Sequence, residues 1–164
     1  MMQDLQTQIL KLLEQNASLN AHQISVMLNT DEATVTDIIR TCEQDGTIHG
    51  YKTIINWEKF AANHVTAMIE LKITPKRDTG FDEIARQIME FDEVDSVYLM
   101  SGGYDLLISV SGTSLQDVAS FVAKRLSTID GVLSTATHFL LQKYKENGID
   151  LCNDEEVERR TMQL

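Results

Sequence analysis

Proline and cysteine are scarce in this chain of 164 residues, which has one proline, Pro75, and two cysteines, Cys42 and Cys152. The cysteines have neither a metal-binding nor a redox spacing, which disfavours a disulfide-stabilised secreted fold. No apolar run approaches the ~18 residues that span a membrane, and the N-terminus lacks the pattern of a signal peptide. We therefore expect a cytoplasmic protein without membrane segments, with a buried thiol at Cys42.

Basic residues are also few, since 14 Lys and Arg stand against 25 Asp and Glu and give a net charge of −11. Proteins that bind nucleic acids normally have a strongly basic surface, so the composition alone disfavours DNA as a partner. The excess of acids is not confined to one region, because residues 1–62 already contain eight acids and four bases. Any DNA-binding segment in this chain must therefore work with little positive charge.

The first 44 residues have the apolar spacing of three short helices. The apolar positions are Leu5, Ile9, Leu12 and Leu13; Ile24, Met27 and Leu28; and Val35, Ile38, Ile39 and Cys42. Asn20 and Gln23 have the spacing of a capping box, Asn29 tolerates a left-handed turn, and Thr30 is expected to cap the third helix. Three short helices with a tight turn before the third are typical of a helix-turn-helix.

The remainder of the chain predicts a second, mixed domain. Extended structure is predicted over 51–55, and a short helix over 57–63 leads to a domain boundary near 60–64. Strands are then predicted over 64–74, 94–100, 105–112 and 135–144, and helices over 81–91, with Phe81, Ile84, Ala85, Ile88 and Met89 inward, and over 114–126, starting from Ser114. The order β-α-β-β-α-β is ferredoxin-like, so the expected class is α+β. The expected domains are 1–62, 63–146 and a charged tail, 147–164, either a short helix or disordered.

Three motifs together resemble the Lrp/AsnC family, the leucine-responsive type of transcriptional regulator. The family's I-x-G-Y linker is matched by Ile48, Gly50 and Tyr51, and its S-G-x-[FY]-D turn by Ser101, Gly102, Tyr104 and Asp105. The last strand, "GVLSTATHFLL", matches a G-V segment followed by alternating threonines. The resemblance covers residues 3 to about 145. It implies a winged-helix-like helix-turn-helix domain that binds double-stranded DNA, followed by a ferredoxin-like domain.

The resemblance also implies a small-molecule effector, usually an amino acid, that binds in a cleft between subunits near the glycine-rich turn. Family members form dimers, and often octamers or larger rings, through the C-terminal domain. Effector binding shifts the assembly or the DNA affinity, which is allostery between two distinct sites. We expect the same partners for this chain and no membrane association.

The stretch "SGGYD" has two interpretations. By spacing alone it is typical of a hairpin turn in which the glycines supply positive φ angles and Asp105 binds nearby backbone. The resemblance instead implies that the glycines admit a ligand to the backbone and that Asp105 binds an ammonium group. Gly103 departs from the family, which often has an acid there.

The residues around the turn also have a structural interpretation. Leu99 and Met100 fit a core better than a pocket wall, and alternating threonines are common in sheets. The effector-binding residues predicted from the resemblance are Met100, Gly102, Gly103, Tyr104, Asp105, Thr135 and Thr137.

The third helix provides the predicted DNA-reading face. With its apolar positions buried, the DNA-binding residues are predicted to be Thr34, Thr36, Asp37, Arg40, Thr41 and Gln44. Arg40 can pair with guanine or phosphate, and the threonines and Gln44 can hydrogen-bond to bases or phosphates. Asp31 and Glu32 favour the helix dipole, yet they occupy the place where a phosphate would otherwise bind. Asp37 falls where family members commonly carry arginine. DNA binding by each helix-turn-helix domain, or head, is therefore expected to be weak and to depend on assembly.

Three functions remain open at this point. The leading one is a sequence-specific regulator that binds DNA and responds to a small molecule. The second is an acidic interaction protein that modulates a paralogue or another protein without strong DNA binding. The third is an enzyme, since siroheme decarboxylase subunits have a similar architecture, but the central stretch "SVYLMSGGYDLLISVSG" lacks their arginine and histidine residues. No catalytic motif, cofactor site or metal-ligand spacing is found, so we expect neither an enzyme nor a metalloprotein.

Overall fold

The computed structural model describes residues 2–60, 63–75 and 80–151, and its contacts divide the chain into two units. Met1–Ile55 and Glu146–Asp150 make the first unit, and Asn56–Lys145 makes the body of the second. The start of the charged tail forms a small hairpin of β5 (Lys145–Glu146) and β6 (Ile149–Asp150). The expectation of a tail helix or disorder otherwise concerns residues 152–164, which lie outside the described residues.

The first unit contains three helices: α1 (Met2–Gln15), α2 (Ala21–Leu28) and α3 (Glu32–Gln44). Ile9, Leu13, Ile24 and Val35 are buried together and form its core. The capping box predicted at Asn20 and Gln23 is confirmed, as is the left-handed turn at Asn29, where φ is 50° and ψ is 51°. Met27 is 59% exposed, so its expected place on the apolar face is wrong. The helix-turn-helix arrangement is therefore confirmed, with a core of aliphatic side chains from all three helices.

The cap of α3 differs from the prediction. Asp31, not Thr30, is the N-cap residue, and its carboxylate accepts hydrogen bonds from both the backbone N–H and the hydroxyl of Thr34, at 2.8 and 2.6 Å. A capping side chain must lie immediately before the first helical residue to reach the amide three positions on. Because α3 begins at Glu32, that position belongs to Asp31 and Thr30 lies one residue too early.

The strand predicted over residues 51–55 is absent from the structure, which assigns no regular element between α3 and α4 (Trp57–Phe60). An extended segment becomes a strand only when a neighbouring chain takes its backbone hydrogen bonds. Within the described residues no strand pairs with this segment. The short helix predicted after it is confirmed at Trp57–Phe60.

The second unit is built on a four-stranded antiparallel sheet. Its strands are β1 (Val65–Ile73), β2 (Val94–Leu99), β3 (Leu106–Gly112) and β4 (Val132–Phe139), in the order β2-β3-β1-β4. Side chains of alternate residues of β1 and β3 point to one face, where Ile69 lies opposite Ile108 and Leu71 opposite Leu106. The predicted alternation is thus confirmed, and the order is that of a ferredoxin-like β-α-β-β-α-β domain.

Helix α5 (Asp82–Met89) and helix α6 (Leu115–Phe121) contribute to the core on that face of the sheet, and a π-helical turn, Val122–Leu126, continues α6. The Ser114 cap of α6 is confirmed, because its hydroxyl accepts a hydrogen bond from the Asp117 N–H. Ile84 and Ile88 are buried, whereas Met89 is 65% exposed and its inward assignment is wrong. Met89 is five residues after Ile84, about 140° around the helix, and so leaves the buried stripe.

The last strand begins earlier and ends earlier than the predicted range 135–144. Val132 already pairs with Ile73 of β1, which brings the start forward. The end is set by the same partner, because β1 begins at Val65 and the Leu140 N–H donates to the Thr66 carbonyl at 2.9 Å. Leu141 is 93% exposed, and no strand among the described residues pairs with the chain beyond that point.

Candidate DNA-reading helix and effector turn

The outward face of α3 carries the residues predicted to bind DNA. Val35 and Cys42 are completely buried, and the Gln6 amide donates a hydrogen bond to the Cys42 sulfur at 3.2 Å. The buried thiol predicted at Cys42 is therefore confirmed. Thr36, Asp37, Arg40, Thr41 and Gln44 are exposed, and Thr34 is half-buried. The structure thus brings the six predicted positions together on one helix, with five of them open to solvent.

The hydroxyl groups of the three threonines on this face already donate hydrogen bonds to acceptors of the chain itself. The hydroxyl of Thr36 donates to the Glu32 carbonyl and that of Thr41 donates to the Asp37 carbonyl, both at 2.8 Å. Thr34 donates to the carboxylate of Asp31 at 2.6 Å. Each hydroxyl retains lone pairs and a methyl group. In this arrangement the threonines offer hydrogen-bond acceptors and apolar contact to a base, rather than donors to a phosphate.

Arg40, the only base on α3, is engaged by an acid of the same face. Its Nη2 atom donates to Asp37 Oδ1 at 2.8 Å, and the two side chains are 65% and 67% exposed. An ion pair this exposed contributes little to stability. Its electrostatic effect is larger, because it neutralises the guanidinium that could otherwise meet a phosphate or a guanine.

The N-terminus of α3 is occupied by acidic side chains. Hydrogen bonds from the Thr34 hydroxyl and the Thr34 N–H hold the pKa of the Asp31 carboxyl below its ordinary value. Glu32 is paired with the His22 ring of α2 at 3.2 Å. Helix N-termini are ready anion sites. Here the chain's own carboxylates use that positive end, so a phosphate cannot bind there without displacing them.

A contact between the linker and the exposed side of α3 was not predicted from the sequence. The Tyr51 hydroxyl donates to Glu43 Oε1 at 2.9 Å, and burial together with this carboxylate raises the pKa of Tyr51. The Ile48 N–H donates to the Cys42 carbonyl at 2.8 Å. Beside Tyr51 lies an open cleft of about 450 Å³ whose lining includes Leu13, Leu19, Ile39, Arg40 and Glu43. Residue spacing alone does not reveal this contact, since eight residues separate its partners.

The turn between β2 and β3 is anchored by Asp105. Its backbone carbonyl accepts from the Met100 N–H at 2.8 Å, and its N–H donates to the Leu71 carbonyl at 2.9 Å. Its carboxylate Oδ2 accepts from the Ile73 N–H at 2.8 Å. Asp105 therefore ties the turn to β1, as expected for an aspartate that binds nearby backbone. Any ligand that uses this carboxylate shares it with Ile73.

The two glycines of the turn differ in conformation. Gly102 has the expected positive φ, at 158°, whereas Gly103 has no positive φ. A side chain at either position would meet no atom within 4 Å. The expectation of a positive φ is therefore confirmed at Gly102 and wrong at Gly103. The turn is open at these positions, with room beside its backbone.

The other predicted effector residues lie around this turn. Leu99 is 61% and Met100 38% exposed, so the expectation that they belong to the core is wrong. Tyr104, Thr135 and Thr137 are half-buried. Thr135 pairs with Leu71, the same residue whose carbonyl accepts from Asp105. Thr135 of β4 and Asp105 of the β2–β3 turn thus flank one residue of β1 on its two sides.

Histidines and acids do not assemble into a metal site in the described part of the chain, where no group of three potential ligands occurs. His138 of β4 lies 3.5 Å from Glu70 of β1, an exposed pair across neighbouring strands. No described helix is long and apolar enough to cross a membrane.

Comparisons with known proteins match both units. The family model for the Lrp/AsnC ligand binding domain matches residues 66–149, and a model for a winged helix-turn-helix DNA-binding domain matches residues 2–49. The chain belongs to the Lrp/AsnC family. It is therefore a DNA-binding transcriptional regulator with a ligand-binding domain, and the family is not one of enzymes.

Relatives within the Lrp/AsnC family span most of the chain. The HTH-type transcriptional regulator YugG of Bacillus subtilis is 46% identical over 144 residues, which cover 87% of each chain. An HTH-type regulator of Pyrococcus furiosus is 34% identical over 144 residues, covering 88% of this chain and 94% of the relative. Such coverage extends the similarity through both the helix-turn-helix and the ligand-binding domain.

Solved structures of Lrp/AsnC regulators share the fold. AsnC of E. coli superposes with a TM-score of 0.68 at 22% identity, covering 87% of this chain and 94% of that one. The regulator NMB0573 of Neisseria meningitidis, solved as a complex with L-Met, superposes with a TM-score of 0.72 at 21% identity, covering 90% and 96%. At this level of identity the likeness concerns the fold alone.

Proposed function

We propose that this Lrp/AsnC regulator senses a free amino acid or a related metabolite at the turn Ser101–Asp105, and that binding changes its assembly or its DNA affinity. The observation that carries the proposal is the open backbone at Gly102 and Gly103, in the same turn as the carboxylate of Asp105. A carboxylate can bind the ammonium group of an amino acid. The Neisseria relative complexed with L-Met supports this ligand class.

The proposed effector site extends from the turn onto the edge strand. Met100 supplies exposed apolar surface before the turn, Tyr104 lies half-buried within it, and Thr135 and Thr137 supply hydroxyls from β4. A ligand here would contact β4 and the β2–β3 turn together. That arrangement suits an effector whose binding alters how subunits associate, since allostery requires a ligand to interact differently with two states.

DNA contact is proposed for Thr34, Thr36, Asp37, Arg40, Thr41 and Gln44 of α3. Each head offers one arginine, already paired with Asp37, so its electrostatic contribution to DNA binding is small. We propose that the chain compensates by assembling as a dimer and then as an octamer or a similar ring. Joining several heads raises the effective concentration and can add a factor of ~10² to 10⁴ in affinity. Residues 1–62 form the DNA-binding domain in this proposal and residues 63–146 the effector and assembly domain.

Fluorescence anisotropy of a labelled fragment of the gene's own upstream DNA tests this function. The full-length protein is titrated at low salt with and without each L-amino acid in turn, and its assembly is followed in parallel by sedimentation velocity. We expect saturable binding that one or a few amino acids change, together with a change in assembly. Saturable binding that no amino acid alters would refute the effector class, and no binding at low salt would refute the proposed reading face.

A second candidate function is an acidic helix-turn-helix that binds a protein partner or mixes with a more basic paralogue. The pairing of Arg40 with Asp37, together with Asp31 and Glu32 at the helix N-terminus, favours it. Reversing Asp37 and Glu32 to lysine separates the two candidates. If the acids block DNA, the variant should bind the upstream fragment far more tightly; if they recognise a partner, the same variant should lose that partner.

A further inference from the structure

A second cavity lies at the other end of the sheet from the turn. It has a volume of about 330 Å³, and its floor is formed by Val110, Gly112, Val118 and Phe121. Strand β3 leaves the turn at Leu106 and reaches this cavity at Val110. Four residue steps of ~3.4 Å separate these two residues, so the cavity begins ~14 Å from the turn. Its volume is within the range of ~300–1,000 Å³ typical of small-molecule pockets.

Arg125 is held in a fixed position at the wall of this cavity. Its guanidinium lies over the ring of Phe91, 4.3 Å from the centroid, and 5.6 Å from the centroid of Phe121. Its Nη1 atom donates to Glu93 Oε1 at 2.5 Å. Stacking and pairing restrict the side chain, so its remaining N–H donors are oriented in advance for an acceptor. Such a guanidinium recognises a carboxylate well.

The backbone that presents Arg125 is itself unusual. Arg125 and Lys124 lie on the π-helical turn Val122–Leu126, which widens the end of α6. Turns of this kind are rare and occur frequently at functional sites. Lys124 is exposed at the cavity and makes no ion pair with any described carboxylate. The π-helical turn therefore adds a second, uncommitted cation next to the fixed guanidinium.

Glu93 supplies the opposite charge, and its bonding is incomplete. One carboxylate oxygen is paired with Arg125, while the other, Oε2, is buried and has no hydrogen-bond partner among the described residues. A buried acceptor without a donor is costly, so it signals a missing partner. The last torsion of a glutamate side chain is soft, so the carboxylate can adjust its orientation when a donor enters the cavity.

Asp117, the other acid of the lining, is already committed. Its carboxylate accepts a hydrogen bond from the Thr113 hydroxyl at 2.5 Å, and its N–H donates to Ser114, the cap of α6. Among the charged lining residues, the groups left to recognise a ligand are therefore the cations of Lys124 and Arg125 and the carboxylate of Glu93. This set has both signs of charge beside an apolar floor.

We propose that this cavity binds a free amino acid or a similar small zwitterion, as a site separate from the turn. Its carboxylate binds Lys124 and the open edge of Arg125, its ammonium donates to Glu93, and its side chain packs on Val118 and Phe121. A molecule with only one of the two charged groups satisfies half of the site. Recognition by both ends is what distinguishes this ligand class from a simple anion.

Chemical-shift mapping tests the site on the full-length, isotope-labelled protein. Each proteinogenic L-amino acid is added in turn, and amide shifts are followed at Ser120–Arg125 and, separately, at Gly102–Asp105. We expect at least one amino acid to shift the Ser120–Arg125 amides in a saturable manner. Its α-keto acid and its amide, which each lack one charged end, should bind at least about tenfold more weakly, as for the loss of one charge-assisted hydrogen bond.

Matched variants identify the contacts. Lys124→Ala and Glu93→Gln should each weaken this binding about tenfold, while Lys11→Ala and Glu90→Gln, the same changes at exposed positions outside the cavity, should leave it unchanged. Gly103→Ala, at the turn, should also leave it unchanged. The inference is overturned if no amino acid shifts the Ser120–Arg125 amides, or if the shifts persist with equal affinity in both cavity variants. An amino-acid response of the turn amides alone would refute this second site and leave the proposed function intact.

Discussion

Asp37 and Arg40 lie one helical turn apart on α3, with a carboxylate oxygen 2.8 Å from a guanidinium nitrogen and both side chains in solvent. At this exposure the ion pair contributes little to the free energy of unfolding. Its importance is electrostatic, because it sets how much positive charge the reading face can offer to a phosphate or a base.

Replacing Asp37 by alanine should therefore strengthen DNA binding. The change removes one negative charge from the face and releases Arg40, so we expect the affinity for the upstream fragment at low salt to rise about 3–10-fold and the salt slope to steepen by about one. Anisotropy titrations over a range of salt concentrations measure both quantities. Asp92→Asn, a change of the same charge in the other unit, is the control, and equal effects from the two variants would exclude a specific role for Asp37.

A Gly103→Ala variant distinguishes a purely structural role of this glycine from a role in effector binding. Alanine at this position meets no atom within 4 Å, and its backbone needs no positive φ, so the stability should be unchanged within about 0.5 kcal/mol. If the effector approaches this backbone, the added methyl group should lower its affinity. Calorimetric titration of the effector and urea unfolding give the two values. Gly50→Ala, equally open and in the other unit, should change neither.

Ile88 and Met89 are neighbours on α5 with opposite environments. Ile88 is completely buried and Met89 is 65% exposed. Ile88→Ala should lower the free energy of unfolding by about 2–5 kcal/mol, because it leaves a cavity under the sheet. Met89→Ala should change it by less than about 0.5 kcal/mol. Urea titrations followed by circular dichroism measure both, and a comparable loss from the two variants would contradict the assigned face of the helix.

The pH dependence of stability should reveal the aspartates at two helix starts. Hydroxyl hydrogen bonds from Thr34 and from Thr113 hold the pKa of Asp31 and of Asp117 below the ordinary value of 3.8. A carboxyl with a lowered pKa in the folded state stabilises the protein fully above its unfolded-state pKa, and that contribution is lost as the pH falls through the folded-state pKa. Stability should therefore decline as the pH is lowered below about 3.8.

Asparagine substitutions test this assignment, because asparagine can cap a helix but does not titrate. The urea midpoint of the double variant Asp31→Asn, Asp117→Asn should fall less steeply with decreasing pH below 3.8 than that of the unmodified protein. Parallel curves for the two proteins would show that these carboxylates do not cause the acid dependence. Thermal unfolding at the same pH values provides an independent measurement.

Features encoded by near neighbours were predictable from the sequence. The capping box at Asn20 and Gln23 and the left-handed turn at Asn29 depend on a few consecutive residues, and both are present. The alternation along β1 was equally clear, because its odd-numbered positions from Ala67 to Ile73 are all buried. Local chemistry and a simple period were enough to predict the helix-turn-helix and the succession of strands and helices in the second domain.

Features that depend on distant partners were not predictable. The end of β4 is fixed by where its partner β1 begins. The apolar pattern of residues 140–144 does not indicate where that pairing stops. Residues 51–55 have strand composition but no strand to pair with in the described chain. The choice of Asp31 over Thr30 as the cap depends on a one-residue shift in where α3 begins, although both residue types can cap a helix.

The same distinction holds for the candidate sites. Their residues could be selected from spacing and family motifs, but the hydrogen bonds that these residues make within the chain could not be predicted. The hydroxyl protons of Thr36 and Thr41 point back to the helix, and the carboxylate of Asp105 is shared with Ile73 from another strand. These bonds change what each residue can offer to a ligand. They follow from rotamers and from the packing of strands, which a residue pattern does not specify.

The contact between Tyr51 and Glu43 gives the linker a mechanical role. Together with the bond from Ile48 to Cys42, it fastens the first residues of the linker to the C-terminal half of α3 at two points. A segment held at two points bends less easily, so we expect a displacement beyond Tyr51 to move the C-terminal end of α3 with it. Tyr51→Phe would keep the ring but remove the hydrogen bond to Glu43, and we expect it to make the linker more flexible relative to α3.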